Sequence, residues 1–291
     1  MTGVGVAPDA PPCLGIDIGA TKVEVAVVTA RGEVHRRVRI EVDAHPFDLF
    51  EAIGETALGI KGASAVSLVG VGCAGPLTAR GATVSPLNIP AWREFPLAAR
   101  LRELLGAEVY VDGDARALAL AEGGFGAATA DSSYLSMVVS TGIGGGIVVD
   151  GRLLDGDSGN AGHIGHMNVV PDGNLCSCGA YGCLEAEVSG WAIESRTGRP
   201  ASEADAATRI RTGELVGRAV GSLCSVLDVN RCYIGGSVAF GFGEEFFTVA
   251  NKAARAMAAL RYSNSLEIRP SALGADGPLI GAAMVAWRSI R

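Results

Sequence analysis

One histidine and three cysteines fall within eighteen residues, in the order His166-x9-Cys176-x-Cys178-x4-Cys183. Thiolates and one imidazole at this spacing predict a tetrahedral zinc site. The turn Pro171-Asp172-Gly173-Asn174 separates the ligands, and Gly179 and Gly182 allow tight wrapping. Four protein ligands leave the metal no open position, so its role is expected to be structural. Buried free thiols or a disulfide are the competing reading.

Two segments read as phosphate-binding turns. Asp17-Ile18-Gly19-Ala20-Thr21-Lys22 and Ser140-Thr141-Gly142-Ile143-Gly144-Gly145-Gly146 each follow a strand-like run. Glycine lets a phosphate approach the backbone, whose N–H groups can cradle it. Asp17, at a strand end, could hold a magnesium ion through water. Either segment alone is also an ordinary hairpin, but one in each half makes a facing phosphate clamp. Neither matches a P-loop, and neither opens a helix as the dinucleotide fingerprint requires. Asp112-Gly113-Asp114-Ala115-Arg116 lies at a strand-to-helix junction. Asp114 there could accept a proton from an alcohol, or could simply cap the helix.

The elements that must position these residues alternate between strand and helix. Cys13–Ile18, Val23–Val28, Glu33–Val42, Val66–Gly70 and Glu108–Val111 read as strands, and 47–58, 97–105 and 115–122 as helices. A second set begins with strands 135–140 and 147–150 around a glycine turn at 142–146. Helix follows at 187–196 and 202–227 (with a turn near Gly213), then strand 232–234, helix 244–259, strand 266–269 and a closing helix, 279–289. The repeated strand–glycine turn–strand plan predicts two related α/β halves. The expected division is a small domain over residues 1–113 joined by the C-terminal helix 279–291, and a large domain over 114–278 holding the zinc loop. Residues 1–12 read as a frayed tail.

Composition excludes other classes. The 291 residues are 48% hydrophobic and 19% charged, which is a folding composition. Net charge is −7, and no basic tract marks a nucleic-acid or anionic-membrane partner. The uncharged runs 62–79 and 132–149 contain four glycines each, against a membrane span. The N-terminus lacks the basic and apolar regions of a signal peptide, so a cytoplasmic, thiol-reducing location is expected. Cys13, Cys73, Cys224 and Cys232 lie in apolar contexts and read as core.

Together these segments resemble the ROK family of sugar kinases, from about Leu14 to Trp287. Besides those above, the resemblance rests on Gly72-Cys73-Ala74-Gly75-Pro76, Asn88-Ile89-Pro90-Ala91-Trp92, Gly159-Asn160-Ala161-Gly162-His163-Ile164-Gly165-His166 and Ile234-Gly235-Gly236-Ser237. It implies an actin-like/ribonuclease-H-like α/β fold of two domains with a central cleft. It also implies phosphorylation of a hexose 6-hydroxyl by ATP and Mg2+, beside a structural Zn2+. Asp114 matches the family's catalytic base. Asp17, Gly19, Ala20, Thr21, Lys22, Thr141, Gly142 and Gly144 match its nucleotide-phosphate and magnesium segments, and Gly235 and Gly236 its adenosine site. His166 matches a residue that binds zinc and touches the sugar, and Glu185 a sugar-hydroxyl acceptor. Gly75 and Asn88 match the loop over the sugar. A homodimer or homotetramer is implied as well.

Three positions depart from the family pattern. His163 stands where the family usually has Glu, Gly113 where it has Asn, and Arg116 where Asn is common. The sugar-recognition shell is therefore expected to differ, with Gly113 leaving room for a bulkier or amino substituent, as in 3-amino-3-deoxyglucose (kanosamine). A non-catalytic sugar sensor of the same family is the alternative. Only sixteen residues precede Asp17, too few for the DNA-binding module of the family's regulators. A polyphosphate donor would call for cations clustered along a groove, and the sequence has no such cluster.

Overall fold

The computed structural model describes residues 4–19, 21–42, 46–62, 66–78, 81–87 and 89–290. Along the chain run β1 (Cys13–Ile18), β2 (Lys22–Val28), β3 (Val34–Glu41), α1 (Pro46–Gly62), β4 (Leu68–Cys73), β5 (Leu77–Thr78), β6 (Thr83–Val84), α2 (Leu97–Leu105), β7 (Glu108–Gly113) and α3 (Asp114–Phe125). There follow β8 (Tyr134–Val139), β9 (Ile143–Val149), β10 (Arg152–Leu153), α4 (Leu184–Val188), α5 (Gly190–Thr197), α6 (Ala206–Leu227), β11 (Arg231–Gly235), α7 (Ser237–Met257), β12 (Glu267–Pro270) and α8 (Gly277–Ser289). Met1–Ala130, Leu153–Ala161 and Leu273–Arg291 form unit 1, and Asp131–Arg152 and Gly162–Ala272 form unit 2.

Each unit is built on one five-stranded sheet. In unit 1 the order is β3-β2-β1-β4-β7, with β1–β2–β3 antiparallel and β1, β4 and β7 parallel. In unit 2 the order is β10-β9-β8-β11-β12, with β8 antiparallel to β9 and parallel to β11, and β11 parallel to β12. The repeat seen in the sequence is thus a repeat of sheet topology. Strands β1 and β4 are buried at every residue, which is why they read as unbroken apolar runs instead of alternating. Helix α8 lies directly on this sheet. A Cβ at Gly70 would sit 1.9 Å from the Ala282 carbonyl oxygen, so only glycine permits the approach.

Several boundaries move. The expected division at residue 113 gives way because α3 packs along α8, with Gly281 against the Ala117 backbone, and so belongs to unit 1. Residues 4–12 are not frayed: Val4 is buried, and Trp287 Nε1–H donates to the Pro11 carbonyl at 2.9 Å. The helix expected over 187–196 is two, broken at Ser189, whose hydroxyl accepts from Ala192 N–H at 3.1 Å. No turn interrupts α6 at Gly213. A Cβ on Gly213, Gly217 or Gly221 would crowd α7, so these glycines form a packing stripe. Helix α7 starts at Ser237, earlier than expected, and is kinked at Gly243. Cys13, Cys73, Cys224 and Cys232 are buried, as expected. Among the described residues no helix is long and apolar enough to cross a membrane.

Candidate active site

In unit 1 the sheet register brings two carboxylates together. Asp17 on β1 pairs with Gly72 on β4, which pairs with Asp112 on β7, two residues before Asp114. A Cβ on Gly72 would lie 3.5 Å from Asp114 Cα and 3.6 Å from Asp17 Oδ1. Glycine at 72 therefore leaves a slot beside both acids. Asp114 is the first residue of α3 and not its cap, a position held by Gly113; its Oδ1 accepts from Ala115 N–H at 2.7 Å. Burial, then the charges of Asp114 and Glu24, push the Asp17 carboxyl up to about 7 against the partial relief of Lys22.

That proton affinity predicts an unusual stability profile. Asp17 is held protonated more tightly in the fold than in the unfolded chain, so its contribution is full at about pH 4 and is lost as pH rises through about 7. The loss is on the order of 2–4 kcal/mol. Urea unfolding of magnesium-free protein between pH 4 and 8 should show this decline, and Asp17→Asn should flatten it. Identical slopes in the two proteins would contradict the assignment.

The β1–β2 connection is closed by one backbone hydrogen bond. Gly19 N–H donates to the Lys22 carbonyl at 3.0 Å, and Lys22 Nζ pairs with Glu24 at 2.7 Å. Thr21 lies within this connection, and its carbonyl accepts from Val42 N–H at 3.0 Å; Ala20 and Asn88, the other site residues expected nearby, lie outside the described residues. Gly75 precedes Pro76 in a cis peptide, and the next residue, Leu77, is held on both backbone groups by the Asn160 amide, at 3.0 and 2.7 Å.

In unit 2 the turn after β8 is only Ser140–Thr141–Gly142. Gly144, Gly145 and Gly146 belong to β9, paired with Val138, Met137 and Ser136, which corrects the expected turn over 142–146 and removes Gly144 from it. Glu185 braces this turn: its Oε2 accepts from Ile143 N–H at 2.8 Å and lies where a Gly142 Cβ would intrude. Gly190 N–H and Trp191 N–H at the start of α5 donate to the Ser140 and Thr141 carbonyls. Ser237 Oγ, at the start of α7, lies 2.9 Å from Ser140 Oγ, so the Gly235–Gly236 junction stands beside the same turn. Gly236 has φ 108°, and a Cβ there would meet the Val139 carbonyl oxygen at 2.4 Å.

The segment after Gly162 lies along β9, with Gly165 close to the Ile143 carbonyl. It places His163 and His166 with ring centroids 5.8 Å apart, His163 exposed and His166 half-buried. The ligand atoms of His166, Cys176, Cys178 and Cys183 all lie within 4.8 Å of one another. Cys176 Sγ is 3.5 Å from His166 Nδ1, and Cys178 and Cys183 Sγ are 3.7 Å apart. Ligands about 2.0–2.3 Å from a tetrahedral zinc are separated by roughly 3.5–3.8 Å, so this donor set fits that ion.

Arg116 is held within unit 1. Its guanidinium is engaged by Asp112, Asp155 and two carbonyls. A Cβ at Gly113 would meet Arg116 Cδ at 3.3 Å, so the arginine stem occupies the room expected there. The Asp112-x3-Arg116 spacing was the available signal for the pair, although Asp112 lies on β7 and only Arg116 on α3. Nothing in the sequence pointed to Asp155 or to the Glu185–Ile143 bond.

The ROK family model matches residues 13–289, and the chain belongs to the ROK family. It is 35% identical to a glucokinase of Thermotoga maritima over 184 residues, 62% of this chain and 58% of that protein, so this alignment spans less than two-thirds of the relative. It is 34% identical over 293 residues to an N-acetylmannosamine kinase of Vibrio cholerae, covering 93% and 97% of the two chains. The ROK glucokinase of Streptomyces griseus, solved with glucose and AMPPNP, superposes with a TM-score of 0.84 at 28% identity, over 96% of this chain and all of that one. The fold class is that of these two-domain, actin-like/ribonuclease-H-like α/β proteins.

Proposed function

We propose that the chain is a sugar kinase that transfers the γ-phosphoryl group of ATP to the 6-hydroxyl of a hexose or amino-hexose. The observation that supports this best is the pairing of Asp114 with the buried Asp17 across Gly72. In this reading Asp114 takes the acceptor proton, the freed oxygen attacks the γ-phosphorus in line, and the bond to ADP breaks as the new P–O bond forms. Thr141, Gly142 and the start of α7 offer hydroxyl and N–H donors to the phosphates, with Gly235 and Gly236 toward the nucleoside.

Asp17 would hold Mg2+, with Gly19, Thr21 and Lys22 beside it. A cation suits a carboxylate crowded by two others, and when bound it neutralises charge on the transferred phosphate. His166, Cys176, Cys178 and Cys183 would hold Zn2+ as a structural ion. With Nδ1 facing the thiols, His166 turns Nε2 the other way, toward a sugar hydroxyl. In this reading His163, Glu185 and Gly75 take the sugar-binding roles expected from the sequence. Gly113 contributes through the Arg116 stem packed against it. Acceptor preference then rests chiefly on His163, which can donate as well as accept.

The test is ADP release with Mg-ATP and a panel of glucose, mannose, glucosamine, N-acetylmannosamine and 3-amino-3-deoxyglucose, with the product position read by NMR. Turnover of at least one of them at the 6-position is expected. ADP formation no faster than in the sugar-free blank would overturn the reading, and saturable sugar binding without turnover would favour the sensor.

A further inference from the structure

Arg116 makes all five of the hydrogen bonds that a guanidinium can donate. Nε and one Nη2 hydrogen go to Asp112, at 2.6 and 3.2 Å. The other Nη2 hydrogen goes to Asp155 at 2.8 Å. Nη1 donates to the carbonyls of Leu154, at 2.5 Å, and Ala161, at 2.8 Å. The side chain is 5% exposed, and Arg288 closes the cluster with bonds of 2.7 and 2.6 Å to Asp155. Burial raises the Asp155 proton affinity, but the bonds from Arg288 and Arg116 outweigh it and hold the carboxyl below its ordinary range.

The placement of these partners gives the cluster a task. Asp112 and Arg116 lie two residues before and two after Asp114, so their pair spans the strand-to-helix junction that presents it. Leu154 and Ala161 lie near the two ends of Leu153–Ala161, a segment of unit 1 inserted between stretches of unit 2. The same segment carries Asn160, which fixes Leu77 directly after Gly75–Pro76, and it leads within two residues to His163. One planar fork thus ties the Asp114 junction to a strap that sets the Gly75–Leu77 turn.

We propose that Arg116 is a positioning residue for phosphoryl transfer, which holds Asp114 and the 153–161 strap in one fixed arrangement. The strap part stands on the geometry alone; the catalytic part rests on the kinase reading above. Lysine cannot replace the arginine, because an ammonium has three donors and no planar fork.

Arg116→Lys and the milder Asp155→Asn test this by two readouts. The first is hydrogen exchange of the backbone amides across 153–163, which needs no turnover. Both variants should exchange faster there, while the β1 and β4 amides stay as protected as in the wild type. The second is steady-state kinetics well below the melting temperature. Misplacing catalytic groups by about 1 Å can cost roughly a hundredfold, so kcat for the best sugar should fall tenfold or more and sugar KM should rise, with ATP KM within about twofold of wild type. A merely structural arginine would lower the melting temperature and leave kcat of the folded enzyme unchanged. Unchanged exchange over the strap in a folded variant overturns the proposal whatever the activity. Faster exchange with unchanged kcat and KM overturns its catalytic part. If the wild type turns over no sugar, the kinase reading fails, and exchange still decides whether Arg116 holds the strap.

Discussion

Asp114→Asn is expected to lower kcat by about 10²–10⁴, the usual contribution of a positioned general base. Asparagine keeps the size of the side chain and an oxygen that can accept from Ala115 N–H, as Asp114 Oδ1 does at 2.7 Å. It cannot take a proton from the acceptor hydroxyl. Sugar KM should change little, since ground-state contacts are retained. The same change removes one of the negative charges that crowd Asp17. The variant should therefore be no less stable than the wild type near pH 8, which separates lost chemistry from lost folding. Steady-state rates with the best sugar, alongside thermal melts, measure both. A folded variant with wild-type kcat would show that Asp114 is not the base.

Cys183→Ser should have the second-largest effect, this time on the protein as a whole. Cys183 is 1% exposed and immediately precedes α4, and its sulfur faces Cys178 at 3.7 Å. Losing one of four ligands should bring zinc from about one per chain to well below that. The expected cost is on the order of 3–5 kcal/mol, or about 10 °C in Tm. The damage should also reach the turn after β8. Glu185, two residues beyond Cys183, holds Ile143 N–H at 2.8 Å, so an unanchored α4 frees that turn. Metal analysis, melting and kcat should fall together. A zinc-free protein that melts with the wild type would refute a structural metal.

The sequence was most legible where one residue type serves one demand. The thiols and His166 announced their cluster by spacing, and it assembled in the structure within 4.8 Å. The two sheets were legible through paired strand–turn–strand patterns, since each strand run is short and bounded by turn formers. Glycine was the least legible residue. Gly144–Gly146 read as a turn but line a strand, and Gly213 read as a break but lets two helices touch. At Gly145, where a Cβ would meet Ile164, and at Gly213, where it would meet Val249, a distant neighbour and not the local backbone preference explains the missing side chain. The partners of Arg116 were hidden for the same reason. Its local pair with Asp112 is four residues away, but Asp155 and Arg288 come from elsewhere in the chain. Ion pairs that close over long sequence distances leave no periodic trace.

Helix α8 has a consequence for how the chain reaches this state. It covers β1 and β4, and Trp287 bonds to Pro11, 276 residues away in sequence. Unit 2, by contrast, is contiguous except for the strap. During synthesis unit 2 can complete its sheet while unit 1 still lacks a wall of its core. Contacts of such high sequence separation form late and slowly. The half of the molecule that is translated first is therefore the last to finish folding, and its apolar sheet is the surface on which a nascent chain would need protection.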